Sequence, residues 1–164
     1  MKSAIGQTLP LAIAVAISPI PIIAVTLMLV TKRARSNGPL YVLGSVVGLV
    51  FIGVIALTVA DAAGAGFVLQ TFNPKNLLLA IGAATTIAAT GISGADQAIA
   101  YAVFTIIGTI GVATPVIVYF AMGDRAPRLL ERLKEWMALH SDAIMATLFL
   151  VLGAKVLGDG IGGF

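Results

Sequence analysis

Six stretches of this chain, residues 3–31, 36–60, 62–74, 76–95, 97–123 and 143–154, carry no charged side chain at all. Several reach the roughly 20 apolar residues that a helix needs to cross the hydrocarbon of a bilayer. Charged residues make up 10% of the sequence, against roughly 25% in a soluble domain, and the mean hydropathy is +1.07. An ordinary soluble globular domain is therefore excluded. The 164 residues suffice for one membrane-embedded unit with short connections and leave no room for a separate soluble domain. A spanning β-barrel would alternate polar and apolar residues with a period of two, whereas these runs are rich in Ala, Leu, Ile, Val and Gly without alternation.

The expected fold is thus an all-α integral membrane protein of five transmembrane helices. They are placed at about 4–31, 40–60, 64–92, 97–122 and 143–162, with an interfacial amphipathic helix at 125–139. Lys2 before an apolar run, with Ala12-Ile13-Ala14 or Ala14-Val15-Ala16 as a small-residue site, imitates a signal peptide. The run stays apolar to Val30, too long for a signal peptide's apolar core, so a retained first span is expected.

Charge placement sets a puzzle. Lys32, Arg33 and Arg35 follow the first span, and Arg125, Arg128, Arg132 and Lys134 precede the last. Basic connections stay on the cytoplasmic side, yet three simple crossings between the clusters would put them on opposite sides. Two solutions remain: residues 62–92 dip in to Asn73-Pro74-Lys75-Asn76 and return, or a helix is missing at the Ala/Gly-rich link 61–66.

Between Arg125 and His140, Leu129, Leu130, Leu133, Trp136, Met137 and His140 recur at helical spacing with charges opposite, the pattern of a helix lying in the interface. Pro127 suits its first turn, Asp124 or Gly123 its cap, and Arg128–Glu131 and Arg132–Glu135 stand at pairing distance along it. A connector anchored by Trp136 is preferred to a partner-binding helix.

Three spans carry internal prolines: Ser18-Pro19-Ile20-Pro21, Asn73-Pro74 and Thr114-Pro115. Each removes a backbone donor and clashes with the preceding turn. In hydrocarbon the freed carbonyls must be satisfied within protein or a wet cavity, which is how transporters use broken helices at mid-membrane. The first two breaks resemble one another, as in a duplicated transporter. Ser18, Pro19, Pro21, Asn73, Pro74, Lys75 and Asn76 are therefore the candidate substrate path, with Lys75 a cationic contact for an anionic head group. The alternative for Lys75 is a loop at the membrane surface. Lys155 and Asp159, four apart, are a candidate ion pair or else part of a frayed, glycine-rich end. Gly44 with Gly48, and Ala80 with Ala84 and Ala88, offer small-residue seams for helix packing within the monomer, or secondarily for dimerisation.

Several chemistries are absent. With no cysteine there is no disulfide or thiolate site, and the one histidine, His140, falls in the interfacial segment. No carboxylate pair stands inside the membrane to act as acid and base, so an enzyme, a cofactor and a metal site are not expected. Proton or cation coupling lacks a residue too. The basic residues are too clustered for a nucleic-acid face.

Ala16-Ile17-Ser18-Pro19-Ile20-Pro21, the basic turn Thr31-Lys32-Arg33-Ala34-Arg35, Asn73-Pro74-Lys75-Asn76-Leu77-Leu78-Leu79-Ala80 and Gly153-Ala154-Lys155-Val156-Leu157-Gly158-Asp159-Gly160 together resemble the GAP family. This Sap-like family of glycopeptidolipid- and sulfolipid-addressing proteins is placed in the lysine-exporter superfamily, and the resemblance runs along nearly the whole chain. It implies six helices in two inverted three-helix repeats, in a protein of the bacterial inner membrane that helps export cell-envelope lipids or glycolipids of actinobacteria. Relatives carry a further helix and polar loop between positions equivalent to Ala60 and Phe67, so this chain resembles a shortened form. The expected partners are membrane lipids, an anionic or glycosylated lipid substrate, and a second copy or a larger lipid-export complex. The expected function is a transporter or transport facilitator for such lipids. The alternatives are a non-transporting scaffold docked through 125–139, and a small-solute or cation exporter, for which intramembrane ligands are lacking.

Overall fold

The computed structural model describes residues 1–31, 33–58 and 74–162, with the backbone alone at residues 58, 74, 156 and 159–162. Every element described is helical: α1 (Lys2–Ala16), α2 (Pro19–Leu29), α3 (Ala34–Thr58), α4 (Pro74–Ala89), α5 (Gly94–Met122), α6 (Ala126–Leu139) and α7 (Ser141–Gly162). A 3₁₀ turn, Gly123–Arg125, joins α5 to α6. Among the described residues, two helical stretches are long and apolar enough to cross a membrane, Ala34–Leu57 and one within Gly94–Leu139. The bent pair α1–α2 makes a third if it counts as one span.

The first proline break forms as the sequence predicts. Pro19 and Pro21 would each collide with a carbonyl four residues back, so α1 stops at Ala16, and the Ile17 and Ser18 amides close onto Ile13 O and Val15 O at 3.0 and 3.2 Å. Ser18 is extended, Pro19 opens α2, and the two axes meet at 45°. The third expected break does not form: α5 passes through Pro115 without interruption. Pro115 is fully buried, so packing around it holds the turn, and the neighbouring Thr114 hydroxyl donates to Ile110 O at 2.7 Å. A lone proline is absorbed where two prolines one residue apart are not. The expected break at Asn73-Pro74 coincides with the first residue of α4, and Asn73 lies outside the described residues. So do Lys32 and the link 61–66.

Helix ends shift for identifiable reasons. α5 starts three residues before the expected 97 because the Ser93 Oγ accepts from the Asp96 amide at 3.2 Å and donates to the Asp96 carboxylate at 2.9 Å, a local cap. α3 starts at Ala34 rather than 40, taking Ser36-Asn37-Gly38-Pro39 into its first turns. α6 takes no cap from Asp124 or Gly123; it continues from the 3₁₀ turn with Pro127 in its first turn. Its ion pair is Glu131–Lys134 rather than either arginine pair. α7 remains helical through Gly158, Gly160 and Gly162, so the end of the chain is no frayed coil up to that point.

α5 is the central helix, packed by α1 through α4 and by α6. One core cluster joins Ala4, Ala12 and Val15 of α1, Leu49 and Ile52 of α3, Leu77, Ala80 and Ala84 of α4, and Ala100, Tyr101 and Phe104 of α5. A second joins Val25 and Leu29 of α2, Val112 and Val116 of α5, and Ala126 and Leu130 of α6. Contact surfaces are built on alanine and glycine, which let backbones approach closely. At the tightest point, a Cβ on Gly111 would stand 1.7 Å from Ala16 O. Of the alanine seam, Ala80 and Ala84 are fully buried with Ala83 and Ile87, while Ala88 faces outward. The outer faces are apolar instead: Leu40, Leu43, Val47 and Phe51 of α3 and Ile99, Ile106, Ile110 and Ile117 of α5 are all exposed. Such continuous apolar cladding suits lipid, not water.

These contacts fix the direction of each helix. Val15 meets Gly108 and Ala16 meets Gly111, so α1 runs from the Ser93 end of α5 to its middle, and α2 continues to the Met122 end. α3 returns, Gly38 lying against Leu29 and Val116 and Gly53 against Tyr101. Arg33 and Arg35 therefore share one end of the bundle with Arg125. α4 has 16 residues, about 24 Å of helix, less than the roughly 30 Å hydrocarbon core.

Candidate functional site

Where the α1–α2 break, the start of α4 and the middle of α5 come together lies a cavity of about 260 Å³. Its wall is Val15, Ile20 and Pro21 from the break, Tyr41, Gly44, Ser45, Gly48, Leu49 and Ile52 from α3, Asn76 and Leu77 from α4, and Gly108, Thr109 and Val112 from α5. Thr109 stands about 20 Å along the axis from either end of α5, so the cavity sits at half depth.

Glycine makes the space. A Cβ on Gly44 or Gly48 would meet no atom within 4 Å, so within the monomer this pair is no packing seam, contrary to expectation. The two residues instead leave a trough along α3. Seams occur at Gly53, where a Cβ would collide with the Tyr101 ring, and at Gly111. Tyr101 is pinned by donating its hydroxyl to Leu49 O at 3.0 Å and by packing on Phe104 with ring centroids 5.3 Å apart.

The polar groups of the wall are mostly spent. Ser45 donates to Tyr41 O at 2.9 Å and Thr109 to Thr105 O at 2.7 Å, the usual way a membrane helix hides a hydroxyl proton. Asn76 differs: its side-chain oxygen is buried with no hydrogen-bond partner among the described residues, as are Ser18 Oγ and Thr26 Oγ1. Leaving such an acceptor or hydroxyl without a partner costs about 1–3 kcal/mol. Two of the three, Ser18 and Asn76, stand at the starts of α2 and α4, whose first turns contain no acidic residue. Both helices present the positive end of their dipole to the middle of the bundle.

Of the sequence-predicted path, the structure brings Pro21 and Asn76 together at the cavity, with Ser18 and Pro19 buried behind Pro21. Pro74 opens α4. Lys75 goes elsewhere: its Nζ lies 2.8 Å from Met145 Sδ on α7 and does not line the cavity. Asn73 and the side chain of Asp159 lie outside the described residues, and with the latter the Lys155–Asp159 pair. Tyr41, Ser45, Gly108 and Thr109 were not anticipated; the Gly44/Gly48 spacing was the one signal pointing at this trough. Among the described residues no group of three or more His, Cys, Asp or Glu is placed to hold a metal.

The family described as Sap, sulfolipid-1-addressing protein, matches this chain over residues 57–162. The chain belongs to that family. Within it, the Sap match takes in α4 through α7 and so the Asn76, Leu77, Gly108, Thr109 and Val112 side of the cavity. The break and α3, which form the other side, precede the match, so the resemblance along nearly the whole chain narrows to this portion. No curated protein and no solved structure matches.

Proposed function

We propose that this Sap-family protein is a multi-pass protein of the bacterial inner membrane that transports, or helps transport, an anionic cell-envelope lipid, with the head group passing through the half-depth cavity. The observation that carries the proposal is the convergence of two helix starts, at Ser18-Pro19 and Pro74, on a part-open trough whose wall includes Asn76, its side-chain oxygen buried without a partner among the described residues. Dipoles aimed at one point favour negative charge there, and among the described residues no carboxylate lines the space. Size supports the same reading. About 260 Å³ falls below the roughly 300–1,000 Å³ of pockets that enclose a drug-sized ligand, so it holds a head group while the acyl chains stay in lipid. The exposed apolar faces of α3 and α5 would carry them.

In this reading α1–α2, α3, α5 and α7 cross the membrane, and α4 leads from half depth back to the end of the bundle at which α3 finishes. Both basic ends then lie in the cytoplasm, which removes the conflict of three simple crossings. The protein performs no covalent chemistry; its part is to lower the barrier to moving the head group, with the driving force supplied elsewhere. The scaffold alternative keeps only part of its surface, because Leu130 and Met137 of α6 are buried where α6 packs on α2 and α5, leaving Leu129 and Trp136 exposed.

The test is flux in reconstituted vesicles, comparing an anionic lipid analogue with its zwitterionic counterpart, for the native chain and Gly48→Leu. Anionic flux that the filled trough abolishes supports the proposal. Vesicles with native protein that move neither lipid faster than protein-free vesicles would overturn it.

A further inference from the structure

α6 carries a second feature that the cavity does not use. Arg125, Arg128 and Arg132, with Leu129 between them, line a shallow concavity of about 250 Å³ on the outer surface. At about 100° per residue these four and Trp136 fall within an arc of roughly 100°. All five are exposed.

The arginines are left without carboxylates. Two glutamates share the helix, but Glu131 pairs with Lys134, and no arginine of the three forms an ion pair with any carboxylate among the described residues. That holds even for Glu135, three residues beyond Arg132. The flank is also held in place, since Ala126 and Leu130 are set into the α2–α5 cluster and Met137 is buried. Next to the arginines, Trp136 presents its ring at 53% exposure, stacked on His140 at 4.8 Å. Guanidinium groups match phosphate oxygens in a fixed fork, and Trp settles at the level of lipid head groups.

We infer that Arg125, Arg128 and Arg132 form a binding site for the phosphate of an anionic phospholipid in the leaflet at the basic end of the bundle, with Leu129 and Trp136 in the adjoining acyl region. The site is separate from the half-depth cavity and does not depend on transport. Its occupant is identified by charge complementarity: three unpaired guanidinium groups against one phosphate, on a flank whose remaining residues are apolar.

The chain contains a single tryptophan, so Trp136 reports on its own lipid neighbours. The full chain would be placed in phosphatidylcholine vesicles containing a minor fraction of brominated phosphatidylglycerol or, in parallel, brominated phosphatidylcholine, and quenching of Trp136 measured. Preferential contact should enrich the anionic lipid beside Trp136 about fivefold over the zwitterionic one. In Arg128→Gln/Arg132→Gln the enrichment should vanish while quenching by brominated phosphatidylcholine is unchanged, and Lys134→Gln on the other flank should retain it. Equal quenching of the native chain by the two lipids would overturn the inference. So would enrichment that survives the double substitution, or that falls as far in Lys134→Gln, which would mean diffuse surface charge rather than a site.

Discussion

Gly111→Ala should be among the most damaging single-methyl changes in this protein. The added Cβ would stand 1.7 Å from Ala16 O, 2.7 Å from its carbonyl carbon and 3.1 Å from its Cα. Carbon–oxygen contacts in proteins settle at about 3.3–3.6 Å, so α1 and α5 must part by roughly 1.5 Å at this crossing. The obstacle is backbone, which has no rotamer with which to yield. A gap of 0.5–1 Å already forfeits about a quarter to a half of each dispersion contact lining it, and α1 against α5 is the most extensive helix contact in the bundle. Overpacking ordinarily costs about 1–3 kcal/mol, and this case belongs at or above the upper figure, about 3 kcal/mol. Gly48→Ala is the matched comparison: a Cβ there meets nothing within 4 Å, and alanine favours a helix by about 1 kcal/mol over glycine. That gain applies at both positions and cancels, so unfolding of both variants in bicelles, followed by Trp136 fluorescence, should place Gly111→Ala about 3 kcal/mol below Gly48→Ala. A difference within about 0.5 kcal/mol, the scatter of inconsequential surface changes, would refute the claimed close approach.

Three further outcomes are expected. Gly48→Leu should leave the unfolding midpoint unchanged or raised while abolishing lipid flux, because it fills an open trough rather than a seam; a folded, fully active variant would remove the cavity from the path. Tyr101→Phe should lose about 1 kcal/mol in the same unfolding assay, the net worth of a buried hydrogen bond, here the one to Leu49 O. Ser93→Ala should cost about 1 kcal/mol through the lost cap, seen as faster amide exchange confined to the first turn of α5.

What the sequence makes legible is what local chemistry decides. Two prolines a residue apart break the first helix wherever it packs, and the spacing of Leu130, Leu133 and Met137 declares α6 before any partner for it is known. The trough is different. Gly44 and Gly48 read equally as a seam or a space, and the choice is made by α5, which turns Gly108 and Thr109 toward them while Gly111 closes on Ala16. Pro115 reads as a third break by the same local rule that works at Pro19, and forms none where the packing that buries it holds the turn. The place of Lys75 is hidden for a similar reason: nothing near it in sequence reveals that Met145, seventy residues on, lies against its ammonium group. Membrane topology was half visible. The positions of the arginines demanded an even number of crossings between them, but only the short α4, beginning level with the middle of α5, suggests how the chain meets that demand.

The most direct measurement is a thiol-accessibility map, made simple by a chain without cysteine. Single cysteines at Ser36, Gly94 and His140 in intact inner-membrane vesicles would be challenged with a membrane-impermeant reagent. Ser36 and His140 should label from the same, cytoplasmic side and Gly94 from the other, as expected if α4 leads from half depth back to the face at which α3 ends. Labelling of Ser36 and His140 from opposite sides would contradict that arrangement and with it the half-depth meeting of the two helix starts.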